Sequence, residues 1–182
     1  MFMFYFIIIF TVCLLIYYLV STNLNPVPYF PTNSKDQNKV INALNLKNDQ
    51  TVIDLGAGDG KIIFETAKAA HNKGLNTKFV AIDINFFLFL IMLFRRFFHP
   101  NKKNITIIWK DIFKYDFRQI IKKNKATTIY VYFAPWINDS VGSLIKKLPR
   151  PIKVISYYYP INNLLLTKKI KGEHNIYLYY IK

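Results

Sequence analysis

The chain has 182 residues, 52% of them apolar and 17% aromatic, with a formal net charge of +15. Such a length suits one domain and a short appendage, and the apolar content excludes a disordered chain. Cys13 is the single cysteine, which excludes a disulfide framework and a cysteine metal centre. The charge points to nucleic acid, an anionic membrane surface or an acidic partner. Only Arg95, Arg96, Arg118 and Arg150 accompany the lysines, however, and bidentate phosphate recognition favours arginine.

Residues 1–20 form an unbroken apolar run. Twenty helical residues rise about 30 Å, the thickness of a bilayer's hydrocarbon core. The run lacks a basic leader and a small-residue cleavage site, so it reads as an uncleaved transmembrane anchor rather than a signal peptide. Every Lys and Arg follows it, from Lys35 onward. The positive-inside rule then places the globular part in the cytoplasm or on the matrix side of an organelle. Residues 21–31 carry three prolines and read as a short, stiff tether. From residue 32 to 182 a single domain is expected.

Thr32 or Ser34 is placed to cap a helix with the apolar face Val40, Ile41, Leu44 and Leu46. Thr51–Leu55 reads as a strand and Ile62–Ala70 as a helix. Strand and helix then alternate: Lys78–Asp83, Asn85–Phe98, Ile105–Trp109, a short helix over 117–123, Thr127–Phe133, Asn138–Lys147 and Ile152–Tyr158. Leu164–Ile170 and Asn175–Ile181 close the chain as a hairpin. The pattern predicts an α/β, Rossmann-like doubly wound, mostly parallel sheet with a C-terminal antiparallel hairpin. Asn85–Phe98 is apolar nearly all round, which suits either a helix lying on a bilayer or one covered by a neighbour.

Between the first strand and its helix stands Asp54-Leu-Gly56-Ala-Gly58-Asp59-Gly60. Glycines permit positive φ and close approach of a ligand, and the helix start beyond offers unpaired N–H groups. The spacing is G-x-G-x-G, not the dinucleotide G-x-G-x-x-G, and no G-x-x-x-x-G-K-[ST] is present. Ligands of open parallel sheets lie at the carboxyl ends of the strands. Asp54, Asp83 and Asp111 stand at three successive strand ends. Asp83 is placed for a ribose, Asp111 with Ile112 for an adenine, and Asp54 with the glycine loop for the remaining end of the ligand.

The D-x-G-x-G-x-G form resembles the first motif of class I methyltransferases, which bind S-adenosylmethionine. Pro28-Tyr29-Phe30-Pro31-Thr32, Asp54–Lys61, Tyr132-Phe133-Ala134-Pro135 and Val154-Ile155-Ser156 together resemble the protein-lysine methyltransferases typified by the ATP synthase c-subunit lysine methyltransferase and its archaeal relatives. The resemblance implies S-adenosylmethionine as cofactor, held by Tyr29, Thr32, Asp54, Gly56, Gly58, Asp59, Gly60, Asp83 and Asp111. It implies an acceptor side at Tyr29, Pro135 and Trp136, and a lysine-bearing protein in or near the membrane as substrate. The chain departs from that family at Asp83, where Glu is usual, at Trp136, where Ser is common, and in Tyr157-Tyr158-Tyr159-Pro160. RNA, lipid or quinone acceptors, and cofactor binding without catalysis, are the other readings. Adenine methylation is disfavoured because Ala134-Pro135-Trp136 replaces the Asn/Asp-Pro-Pro-[Tyr/Phe] motif of such enzymes.

A lysine acceptor must lose a proton first. At pH 7 that costs ~4.6 kcal/mol, from a reference pKa near 10.4 at 1.36 kcal/mol per unit. Burial against aromatic rings offsets part of this, for which Tyr29, Trp136, Tyr157 and Tyr158 are the candidate walls. No general base is evident.

Overall fold

The computed structural model describes residues 2–24, 30–116, 118, 121 and 126–182. The chain divides into two compact units, 1–30 and 31–182. In the first, α1 (Phe2–Leu24) is one helix without a charged residue. It runs four residues past the expected anchor, so Ser21–Leu24 is helix rather than tether. Its large apolar side chains from Met3 to Leu15 are exposed. Among the described residues no helix is long and apolar enough to cross a membrane. The helix expected there forms, but a membrane span is not supported among the described residues.

The second unit is built on seven strands: β1 (Gln50–Leu55), β2 (Lys78–Asp83), β3 (Ile105–Trp109), β4 (Ala126–Val131), β5 (Ile152–Tyr157), β6 (Lys168–Ile170) and β7 (Ile176–Ile181). Their order in the sheet is β3-β2-β1-β4-β5-β7-β6. The first five are parallel, and β7 runs antiparallel to both β5 and β6. The central strand β1 is buried at every position, which explains its near-continuous apolar sequence. Strand order reverses between β1 and β4, and a crevice opens at such a point beyond the carboxyl ends of the strands.

Helices α2 (Gln37–Leu44), α3 (Lys61–Asn72), α4 (Phe86–Phe97) and α5 (Pro135–Lys146) join these strands. Of the face expected of α2, Val40 and Leu44 are fully buried, Ile41 is half-buried and Leu46 lies beyond the helix end. Val40 and Leu44 join Ile63, Phe79, Ile155 and Tyr157 in the main core. Neither Thr32 nor Ser34 caps this helix; the cap position is Asp36. The Asp36 carboxylate is fully buried and accepts the Tyr157 hydroxyl at 2.9 Å and the N–H groups of Glu173 and His174, both at 2.8 Å. It thereby ties the start of α2 to β5 and to the turn of the β6–β7 hairpin. Burial pushes this carboxyl up, but the N–H groups of His174 and Glu173 and the Tyr157 hydroxyl outweigh it and hold it below the ordinary value.

Several boundaries differ from expectation. Tyr132 and Phe133 lie outside β4, and α5 begins at Pro135, not Asn138, with the proline in its first turn. Proline's fixed φ and missing N–H suit that position. The first hairpin strand is Lys168–Ile170 only. The short helix expected over 117–123 falls largely outside the described residues.

Helix α4 is the anomaly. Asn85 caps it by accepting the N–H groups of Phe87 and Leu88, and only Met92 is buried. Leu90, Ile91, Leu93, Phe94 and Phe97 are exposed. Trp109, also exposed, packs on Phe86 at 4.9 Å and carries the apolar surface onto the sheet's edge strand.

Candidate functional site

At the end of β1 the chain turns through Gly56, Gly58 and Gly60, with φ of 72°, 60° and 76°. Such angles explain the glycines. A Cβ at Gly56 would stand 2.6 Å from two ring atoms of Phe133, so the residue leaving β4 packs directly beneath the loop. The N–H groups of Gly56 and Ala57 both donate to the Ile82 carbonyl, at 2.9 and 3.0 Å. Gly58 N–H donates to Asp83 Oδ2 at 2.7 Å, and Asp83 Oδ1 accepts Asn85 N–H at 2.8 Å. Loop and second strand are thus one hydrogen-bonded unit, and Asp54 and Asp83 lie near enough for their charges to interact.

Asp54 is 2% exposed. Among the described residues its carboxylate has neither a hydrogen-bond donor nor a counter-ion. Burial, then the charges of Asp83 and Asp59, push its carboxyl well above the ordinary range. Tyr130 is its register neighbour on β4. Burial and then the Asp54 charge push the Tyr130 phenol well up, and its hydroxyl pairs with that of Thr32 at 2.9 Å. Asp83 is raised as well, by burial that outweighs the N–H groups of Asn85, Gly58 and Ile84. A buried carboxylate without a compensating group is costly, so the pocket is electrostatically prepared for a cation.

The remaining candidates divide. Asp59 is engaged in structure: Arg95 donates to its Oδ2 at 2.6 Å and to its carbonyl at 2.9 Å, and Asp59 Oδ1 accepts Lys61 N–H. The Arg95 guanidinium also lies 5.0 Å above the Phe64 ring. Thr32 is buried on Tyr130, and its carbonyl accepts the Lys61 ammonium at 3.0 Å, as does Ser34 Oγ at 2.9 Å. These bonds strap residues 32–34 to the start of α3. Asp111 lies just past β3 with Oδ1 accepting Phe113 N–H at 2.9 Å, and Ile112 beside it is buried. Tyr29 lies outside the described residues.

On the acceptor side, Trp136 is 67% exposed in the first turn of α5, next to Pro135. Tyr157 is corrected: it is fully buried and committed to Asp36, so it cannot wall a pocket. Tyr158 does stand at the carboxyl end of β5, with φ of 71°. Its ring stacks on His174 at 3.9 Å and Tyr159 at 4.2 Å, with Tyr132 at 6.4 Å. Sequence reading missed Asp36, Arg95, Tyr130 and Phe133. Of these only Tyr130 carries a signal, its place beside Asp54 once the central strands are aligned.

The site fits an adenosine-type ligand with a cationic end: a buried carboxylate without a counter-ion among the described residues, a glycine loop whose first member leaves no room for a Cβ, and acids at three strand ends. Comparison with known proteins agrees. A protein-lysine N-methyltransferase of Saccharolobus islandicus (strain REY15A) is 28% identical over 161 residues, covering 85% of this chain and 94% of that protein. An RNA methyltransferase of Salinibacter ruber, solved with S-adenosyl-L-homocysteine, superposes with a TM-score of 0.72 at 18% identity, over 84% of this chain and 94% of its own. The 23S rRNA methyltransferase ErmE gives 0.59 at 12% identity, over 84% and 70%. At such identities the two structures speak for the fold alone. The model of one family, ribosomal RNA adenine dimethylase, matches residues 29–168. The chain therefore belongs to that family, with the fold of the class I S-adenosylmethionine-dependent methyltransferases.

Proposed function

We propose that this S-adenosylmethionine-dependent methyltransferase modifies the ε-amine of a protein lysine. The observation that carries the reading is the likeness, over 94% of its length, to a protein-lysine N-methyltransferase. The chemistry at the end of β4 supports it. The residues there are Tyr132, Phe133, Ala134, Pro135 and Trp136, with Phe133 turned under Gly56. No Asn or Asp side chain stands among them to hold the exocyclic amine of a base, whereas an aromatic surface suits an aliphatic amine.

When bound, S-adenosylmethionine supplies an electrophilic methyl group on a sulfonium. Asp54 and the loop Gly56–Gly60 hold the methionine end, Asp54 answering its positive charge. Asp83, with about one acceptor position left beyond its three N–H groups, takes a ribose hydroxyl, and Asp111 with Ile112 the adenine. Trp136, Tyr132 and Tyr158 line the acceptor approach and exclude water, which favours the neutral amine needed for attack. No side chain here is assigned as a general base.

The family match and the +15 charge favour a second reading, an RNA acceptor. One experiment separates them. Labelled S-adenosylmethionine and full-length protein are added to extracts of cells lacking the protein, and label is sorted into soluble protein, membrane protein, lipid and RNA. Methyl-lysine in one or a few proteins is the expected result. Label confined to RNA would refute the lysine assignment while keeping the enzyme class.

A further inference from the structure

A second cavity lies away from the pocket just described. It has a volume of about 550 Å³ and sits between the end of α2, the start of β5 and the β6–β7 hairpin. Strand β5 begins at Ile152 and delivers Tyr157 to the catalytic edge, so Lys153 marks the opposite edge of the sheet. Three lysines line the cavity, Lys39, Lys153 and Lys168, and no carboxylate does. Asn42, Asn45 and Thr167 add hydrogen-bonding groups, and Tyr180 adds an exposed ring face.

Lys153 is the built part of this site. It is half-buried, its ammonium donates to the Ala43 carbonyl, and it lies 5.9 Å from the centre of the Tyr180 ring. Burial and the neighbouring Lys47 lower its pKa, as expected where positive charge is concentrated without an answering anion. Lys39 has only a long contact, 3.9 Å, to Asp36. Lys168 has no ion pair among the described residues. Nothing in the methyl-transfer reading uses any of these groups.

We propose that this cavity binds an organic phosphate of nucleotide size, its phosphates on Lys39, Lys153 and Lys168 and its flat body against Tyr180. The depression is largely open to solvent, and its volume lies in the ~300–1,000 Å³ range of small-molecule sites. Clustered ammonium groups answer a ligand of charge −2 or more, while Ile170 and Leu178 on the same wall leave room for an apolar ring. A bare inorganic anion would leave most of that space empty.

The test is direct titration of the full-length protein with ATP, adenosine and pyrophosphate, each in the presence of saturating S-adenosyl-L-homocysteine to block the cofactor pocket. Saturable ATP binding is expected, at least tenfold tighter than adenosine or pyrophosphate. Lys168→Gln and Lys39→Gln, both at the surface, should each weaken it severalfold, and Lys153→Gln by tenfold or more. Lys78→Gln, at the exposed start of β2, should leave it unchanged. The site is refuted if ATP does not bind, if pyrophosphate binds as well as ATP, or if S-adenosyl-L-homocysteine displaces ATP. It is refuted equally if Lys78→Gln weakens binding as much as Lys168→Gln, since attraction by net charge would then suffice. None of these outcomes depends on which acceptor is methylated.

Discussion

Gly56→Ala tests the joint between the glycine loop and β4. Two costs are separable in the structure. At φ of 72° an L-residue pays about 1–2 kcal/mol. The new methyl would also stand 2.6 Å from Cε1 and Cζ of Phe133, and Phe133 is only 7% exposed, so the ring has little room to swing. Overpacking of this kind costs about 1–3 kcal/mol. Together a loss of about 2–5 kcal/mol is expected, a large share of a typical domain's stability. Urea unfolding followed by tryptophan fluorescence would measure it. Phe133→Leu in the same background should return the overpacking share and leave the backbone share, giving a coupling of about 1–3 kcal/mol in a double-mutant cycle. A Gly56→Ala loss under ~0.5 kcal/mol, or no coupling to Phe133→Leu, would refute the packing described for this loop.

Two further outcomes rest on charges and a third on an aromatic side chain. Asp36→Ala leaves one buried hydroxyl and two partly buried N–H groups without their acceptor, and at roughly 1–3 kcal/mol for the hydroxyl and less for N–H groups that water reaches thermal unfolding should show a loss of about 2–3 kcal/mol. Because the folded Asp36 carboxyl lies below 3.8, its contribution is full above that pH and is lost as pH falls through the folded value; a variant as acid-resistant as the native chain would contradict this. Asp54 has the opposite sign. Its raised carboxyl makes the ligand-free protein gain stability as pH falls through the folded value, while affinity for cationic S-adenosylmethionine falls over the same range. Asp54→Asn should weaken that affinity by about 1.5–3 kcal/mol and flatten its pH dependence, as read by calorimetry; an unchanged affinity would remove Asp54 from the cofactor site. Trp136→Ala should lower kcat/KM for the acceptor severalfold with cofactor affinity intact, and a loss of cofactor affinity would instead make Trp136 part of the cofactor pocket.

What the sequence made legible is what local pattern encodes. Lys78–Asp83 and Ile105–Trp109 were bounded to the residue, because apolar runs flanked by turns leave one solution in a covered parallel sheet. Asp54 and Asp83 are legible as site candidates because both strands end where ligands bind, and the Gly58 bridge ties the glycine loop to Asp83. The Asp36 clasp was not legible. Its partners lie 121 to 138 positions away in the chain, and a lone aspartate before a helix looks like any cap. Phe133 was read as strand because its neighbours are apolar; its role beneath Gly56 is a shape relation that no periodicity carries. Tyr157 and Tyr158 are adjacent in sequence and opposite in fate, one buried on Asp36 and the other half open on a left-handed turn.

The bare flank of α4 sets how the folded protein behaves in bulk. Attraction between apolar surfaces is entropic near room temperature and strengthens on warming, while repulsion between chains of charge +15 weakens as salt rises. Native molecules should therefore stay dispersed when cold and dilute in salt. On gentle heating in higher salt they should cloud well below the unfolding temperature, then clear again on cooling. Turbidity of this kind belongs to the folded state, and replacing Phe94 and Phe97 with polar residues should reduce it without shifting the melting transition, the remainder resting on the exposed apolar side chains of α1.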